Sequence, residues 1–205
     1  MASLPSLRAP AFFRGFIALE LSSALRGQLA AVIGRLTRTT PLRSVNWDRP
    51  DKIHLTLKFL GSIPTGDLSR LQDALTTAAR ACAPFSFAVT ELGCFPNFKR
   101  PRVVWAGVAA SDALRVIELQ KSVEAELAQL SYPRDDRRFS PHVTLGRVRR
   151  EVRPAEAAQV GQAVRAEAAA HFGNQAVNQI VLVKSDLQRG GSIYTRLFAA
   201  DLRDQ

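Results

Sequence analysis

"HLTLKFLG", residues 54–61, alternates aliphatic and polar side chains in the manner of a strand with one buried face. The polar members that open it are His54 and Thr56. "HVTLGRVR", residues 142–149, begins with the same His-x-Thr-Leu pattern. Side chains on a strand change face at every residue, so His54 and Thr56 point one way while Leu55 and Leu57 point the other. His142 and Thr144 stand against Val143 and Leu145 in the same way. The chain has three histidines, and two of them share this context 88 residues apart in a sequence of 205. That spacing reads as a duplication, with one motif strand in each half.

The rest of the chain can be read outward from the two motifs. Residues 12–20 are aromatic and aliphatic, which favours a first strand. Ser22 or Ser23 can cap a helix whose stripe is Leu25, Leu29, Val32, Ile33 and Leu36. After Pro41 the chain extends through Val45 and Trp47 into the first motif, and Gly61, Pro64 and Gly66 mark a turn. A second helix carries Leu68, Leu71 and Leu75. Strands over 85–95 and 102–109 flank the basic loop "PNFKRP", and Asp112 can cap a third helix bearing Leu114, Ile117, Val123 and Leu127. The loop "SYPRDDRRFSP" leads into the second motif. An alanine-rich helix is predicted over 154–171, with His171 at its C-terminal end, where positive charge is favoured. "VNQIVLVKSDL" and "SIYTRLFAADL" close the chain as two strands joined by a turn at Gly190 and Gly191. The order β-α-β-α-β-β-α-β-α-β-β predicts an α+β class and a bilobal duplicated fold. Two antiparallel-rich sheets would surround a central cleft with helices outside, as a single domain over residues 1–205.

Composition narrows the class. Hydrophobic residues make up 46% of the chain, enough for a buried core, and the net charge of +10 favours polyanionic partners. Arginine outnumbers lysine, a habit that genome composition also produces. Cys82 and Cys94 are too few for a disulfide framework and lack the paired spacing of a zinc site, so free thiols in a cytoplasmic protein are expected. No apolar run reaches the ~18 residues of a membrane span. "FFRGFIALEL" is broken by Arg14 and Glu20, against a secretory signal. Residues 1–19 faintly resemble a transit peptide, but a strand over 12–20 is the better reading. A monomer is expected.

Two opposed imidazoles suit proton transfer at a phosphodiester. A histidine near its ordinary pKa serves as base when neutral and as acid when protonated. Threonine hydroxyls are short, stiff donors for non-bridging phosphate oxygens. Neither motif supplies a third ligand for a metal, so neither metal nor cofactor is expected. A histidine on one strand is ordinarily structural, and it is the matched pair that favours chemistry.

With these residues in view, the chain resembles the two-histidine (2H) phosphoesterase superfamily, in its RNA 2′,3′-cyclic phosphodiesterase (2′-5′ RNA ligase-like) branch. The resemblance rests on "FRGFIALEL", "WDRPDKIHLTLKFLG", "LGCFPNFKRPRVVWAGV", "RRFSPHVTLGRV" and "GGSIYTRL". It implies a bilobal fold with both motifs in the cleft, and hydrolysis of a terminal 2′,3′-cyclic phosphate to a 2′-phosphate. His142 would be the general base on water and His54 the general acid on the departing 3′ oxygen, with Thr56 and Thr144 binding the phosphate. The substrate would be RNA or a nucleotide with a 2′,3′-cyclic phosphate end. Arg147 lies where relatives carry an arginine and is a candidate phosphate clamp. Strict alternation puts it on the face opposite His142, unless Gly146 permits a bulge. Lys58 shares the parity of His54 and is a candidate substrate contact, or a solvated lysine at a strand end. Phe59 and Tyr194 could stack on a base or belong to the core. Lys99, Arg100 and Arg102, and Arg134, Arg137 and Arg138, could follow an RNA backbone or simply be solvated. Two rival activities stay open: ATP-independent RNA joining through a 2′-5′ linkage at the same site, and non-catalytic RNA binding on this scaffold.

Overall fold

The stripe spaced by threes and fours over residues 25–36 forms helix α1 (Ser23–Thr39), with Leu25, Leu29, Val32, Ile33 and Leu36 as its buried side chains. Ser22 caps it, its hydroxyl accepting the Leu25 N–H at 3.2 Å. The computed structural model describes residues 11–188 and 191–203, so Gly190 of the expected closing turn lies outside the described residues, as do residues 1–10 of the N-terminal segment. In chain order the other elements are β1 (Phe12–Glu20), β2 (Val45–Trp47), β3 (His54–Pro64), α2 (Leu68–Arg80), β4 (Phe85–Phe95), β5 (Val103–Val108) and α3 (Ala113–Gln129). They continue with β6 (His142–Val148), α4 (Pro154–Ala166), β7 (His171–Val177), β8 (Gln179–Gln188) and β9 (Gly191–Asp201).

Every strand pair is antiparallel, in the order β7-β4-β5-β6-β3-β1-β8-β9, with β2 added on β6. The order divides at its middle. β3, β1, β8 and β9 form one lobe, against which α2 and α3 pack; β6, β5, β4 and β7 form the other, covered by α1 and α4. The register across the seam is the single pair Leu55–Val143. The two sheets therefore join as one curled surface at the two motif strands. Leu55, Leu145 and Val143 are fully buried there beneath the helices.

The spatial lobes are not the two halves of the chain. α1 follows β1 yet packs on β7 in the opposite lobe, and α3 follows β5 yet packs on β3. β8, from the second half, pairs with β1. Each lobe therefore buries apolar surface from both halves.

Three local expectations are corrected. The alanine-rich helix ends at Ala166, and His171 opens β7 instead of ending a helix. Phe172, Gln175 and Val177 turn inward while β7 pairs with β4, and the carbonyls of Ala168 and Ala170 accept the N–H groups of Leu92 and Glu91. Pairing with an otherwise open edge outweighs the helix preference of the alanines. Asp112 sits at the start of α3 without capping it, its carboxylate accepting the Ala88 N–H at 2.8 Å. Val45 and Trp47 form a separate short strand, β2, with a 3-10 turn over Pro50–Lys52 before β3.

Candidate active site

Each motif strand buries its aliphatic residues and leaves its histidine and threonine partly open on the concave face. The seam decides how the four meet. In an antiparallel pair, a step of one residue either side of Leu55–Val143 sets His54 opposite Thr144 and Thr56 opposite His142. The imidazoles then occupy one diagonal of a square and the hydroxyls the other, with diagonal Cα atoms about 7–8 Å apart. Neither threonine hydroxyl has a hydrogen-bond partner among the described residues.

Both imidazoles are held in the same way. His54 Nδ1–H donates to the carbonyl of Lys52 at 2.7 Å, and His142 Nδ1–H to that of Ser140 at 2.7 Å. A carbonyl only accepts, so this contact assigns the proton to Nδ1 and leaves the Nε2 lone pair free. Phe16 stacks on His54 with centroids 4.6 Å apart, and Tyr194 meets the same ring edge-on at 5.5 Å. Phe95 lies edge-on to His142 at 5.0 Å. Burial lowers the pKa of both histidines, against the carbonyl hydrogen bonds that raise it, and the Arg147 charge lowers both further. Glu20, which pairs in register with His54, pulls that histidine back up, and among the described residues no carboxylate acts so on His142.

A bulge answers the question about Arg147. Trp105 pairs with Thr144 and Val104 with Gly146, so Leu145 is an extra residue in β6. The phase of the strand shifts by one and turns Arg147 to the histidine face, where its charge acts on both imidazoles. Gly146 makes room for β2: a Cβ there would sit 2.7 Å from a Trp47 ring carbon and 2.9 Å from Val45 Cγ1.

The same device overturns the reading of Lys58. Ile17 pairs with Lys58 and Ala18 with Thr56, so Leu57 is extra in β3 and Lys58 is swung inward. Its Nζ lies 2.6 Å from Glu124 Oε2 of α3 and donates to the Pro133 carbonyl at 2.6 Å, while Gln120 Nε2 donates to the other Glu124 oxygen at 3.1 Å. Parity counted along an unbroken strand puts Lys58 in the cleft, and one extra residue reverses it. Phe59 takes the position matching Arg147 and is 69% exposed.

Beside His54 lies a hollow of about 120 Å³. Phe16, Ala18, Val181 and Val183 form its apolar floor, and Glu20, Tyr194 and Arg196 stand at its rim, with Arg196 Nη1 3.1 Å from Glu20 Oε2. A larger hollow of about 630 Å³ between α2 and β9 shares no residue with it. Among the described residues, no three His, Cys, Asp or Glu side chains gather as metal ligands. Sequence reading missed Phe16, Phe95 and Asp48. Burial raises the pKa of Asp48, and the charges of Arg147 and Lys52 draw it down, so this carboxylate lies within the field of Arg147. None of the three carries a spacing signal: strand pairing brings Phe16 to His54 and Phe95 to His142, and Asp48 follows β2, its N–H donating to the Leu145 carbonyl at 2.8 Å.

A curled antiparallel sheet with a His-x-Thr strand from each lobe at its seam defines a two-motif phosphoesterase scaffold. The family model described as "LigT like Phosphoesterase" matches residues 19–105 and again 108–194, and the chain belongs to this family as an internal duplicate. A protein of Methanothermobacter thermautotrophicus named RNA 2′,3′-cyclic phosphodiesterase is 30% identical over 89% of this chain and 95% of its own length. One of the same name from Thermus thermophilus is 34% identical over 94% of this chain and 91% of its own. A crystal structure of a Thermus thermophilus protein superposes with a TM-score of 0.74 at 29% identity, covering 93% of this chain and 98% of the other.

Proposed function

We propose that the chain hydrolyses the 2′,3′-cyclic phosphate at an RNA or nucleotide end to a 2′-phosphomonoester. The observation that carries this reading is the register of the seam: it sets two imidazoles, each held through Nδ1, on one diagonal of a square whose other corners are threonine hydroxyls with no partner among the described residues. Relatives named RNA 2′,3′-cyclic phosphodiesterase supply the substrate class.

The phosphate sits over the square, its non-bridging oxygens accepting from Thr56 and Thr144 and facing Arg147. Neutral His142 Nε2 takes a proton from water as the water oxygen bonds to phosphorus. The P–O3′ bond breaks, and His54, protonated on Nε2, gives that proton to O3′. The products are a 2′-phosphate and a 3′-hydroxyl, with the two histidines in exchanged protonation states that solvent resets. Glu20 supports this division of labour, because it favours the charged form of His54 and has no counterpart beside His142 among the described residues. Binding of the anionic phosphate favours that charged form further.

The test is incubation with an oligonucleotide ending in a 2′,3′-cyclic phosphate, in the presence of a chelator. The expected product is heavier by one water and carries a phosphatase-labile 2′-phosphate. A 3′-phosphate product overturns the assigned leaving oxygen, and an unchanged substrate overturns the hydrolase reading.

A further inference from the structure

We propose that the RNA chain 5′ of the reacting end leaves the cleft across the arginine-rich end of β6; this rests on the cyclic phosphodiesterase reading and deepens it. Three segments distant in sequence converge there through backbone hydrogen bonds. Arg149 N–H donates to the Ser44 carbonyl at 2.9 Å, Val148 N–H to the Arg102 carbonyl at 3.0 Å, and Val103 pairs with Arg147. These contacts gather Arg43, Arg100, Arg102, Arg147, Arg149 and Arg150, all of them exposed. None takes part in an ion pair among the described residues. Within residues 43–44, 100–103 and 147–151 the only acidic residue is Glu151.

The patch is continuous with the cleft. The Arg149–Ser44 hydrogen bond carries the β2–β6 ladder one step past Val148, so Arg147 and Arg149 share the histidine face, about 6.7 Å apart along the strand. A row of unpaired cations leading away from a phosphate site fits a single-stranded polyanion, read through its phosphates and not its bases. The other basic stretch, residues 134–138, sets Asp135 and Asp136 against three arginines, and Arg137 is already tied to Asp135 at 3.3 Å. Its field is largely spent within the loop.

The experiment compares the wild type with Arg149→Gln/Arg150→Gln, two exposed residues outside the reacting site, and with Arg134→Gln/Arg138→Gln. Binding of a fluorescent single-stranded RNA of about ten nucleotides is followed by anisotropy from low to moderate salt, alongside turnover of a cyclic mononucleotide and a thermal melt. For Arg149→Gln/Arg150→Gln, RNA affinity at low salt should fall about fivefold or more, and the log–log salt slope should shrink by about 1.4, or 0.7 for each lost contact. Turnover of the cyclic mononucleotide should stay within about twofold. Unchanged RNA affinity overturns the track. So does an equal loss in Arg134→Gln/Arg138→Gln, or a parallel fall in mononucleotide turnover. A wild type that turns over no cyclic substrate defeats the hydrolase reading, whereas RNA binding still decides the track.

Discussion

β3 and β6 share the His-x-Thr-Leu opening and the same bulge, yet they deliver different side chains into the cleft. In each strand the residue after the threonine is the extra one, Leu57 or Leu145, and each strand flips its later residues relative to the histidine. β3 thereby turns Lys58 inward and presents Phe59, whereas β6 reaches its turn at Gly146 and presents Arg147. The duplicated portion holds what a symmetrical anion requires, two imidazoles and two hydroxyls. The diverged portion gives the site a direction: a cation at one end, and an exposed aromatic ring at the other.

The first way to break this comparison is at its shared residues. His54→Ala or His142→Ala should each lower kcat/KM by about a thousandfold or more, about 4 kcal/mol of transition-state stabilisation. Steady-state kinetics on a cyclic mononucleotide check it, and near-normal activity in His142→Ala would remove the assigned base. The next largest effect lies where the strands diverge. Lys58→Met leaves the Glu124 carboxylate buried and unpaired and should cost about 3 kcal/mol of stability by denaturant titration. A Lys58→Met/Glu124→Leu double variant should recover most of the loss, because the stranded charge is then gone.

Gly146→Ala probes the bulge. Its Cβ must displace Trp47 or Val45, which should cost about 1–3 kcal/mol. Activity should fall further than stability does, because the strand end that aims Arg147 must move. Arg147→Met, at an exposed position, should lower kcat/KM while leaving the melting temperature unchanged. The smallest effect concerns pH. Both histidines are held below their ordinary value of 6.5, so the kcat/KM optimum of the free enzyme should lie on the acid side of that value. Glu20→Gln removes an influence that raises His54. Its pKa should drop, moving the basic limb to lower pH while the acid limb, set by His142, stays in place. Movement of the acid limb instead would exchange the two roles.

Much of the fold was legible because it depends on local pattern. The α1 stripe, the 85–95 strand and the repeated His-x-Thr-Leu strands follow from periodicities of 3.6 and 2 and needed no partner to be read. β7 was not legible, since its residues take strand form to satisfy the β4 edge and the alanines before it speak for helix. The faces of Lys58 and Arg147 were hidden for a related reason. A bulge belongs to two strands at once, and counting along one of them cannot register the extra residue.

The amino-acid order alone singled out the candidate residues for the chemistry, because a duplicated pair of imidazole and hydroxyl on alternating strands is written in the chain whatever its surroundings. Tertiary structure decided where everything else points. It joined the motifs through Leu55 and Val143, exchanged helices between the lobes, and used one extra residue in each strand to bury a lysine and expose an arginine. Side-chain identity is a local property, whereas facing is set by register, and register exists only once a second strand has paired.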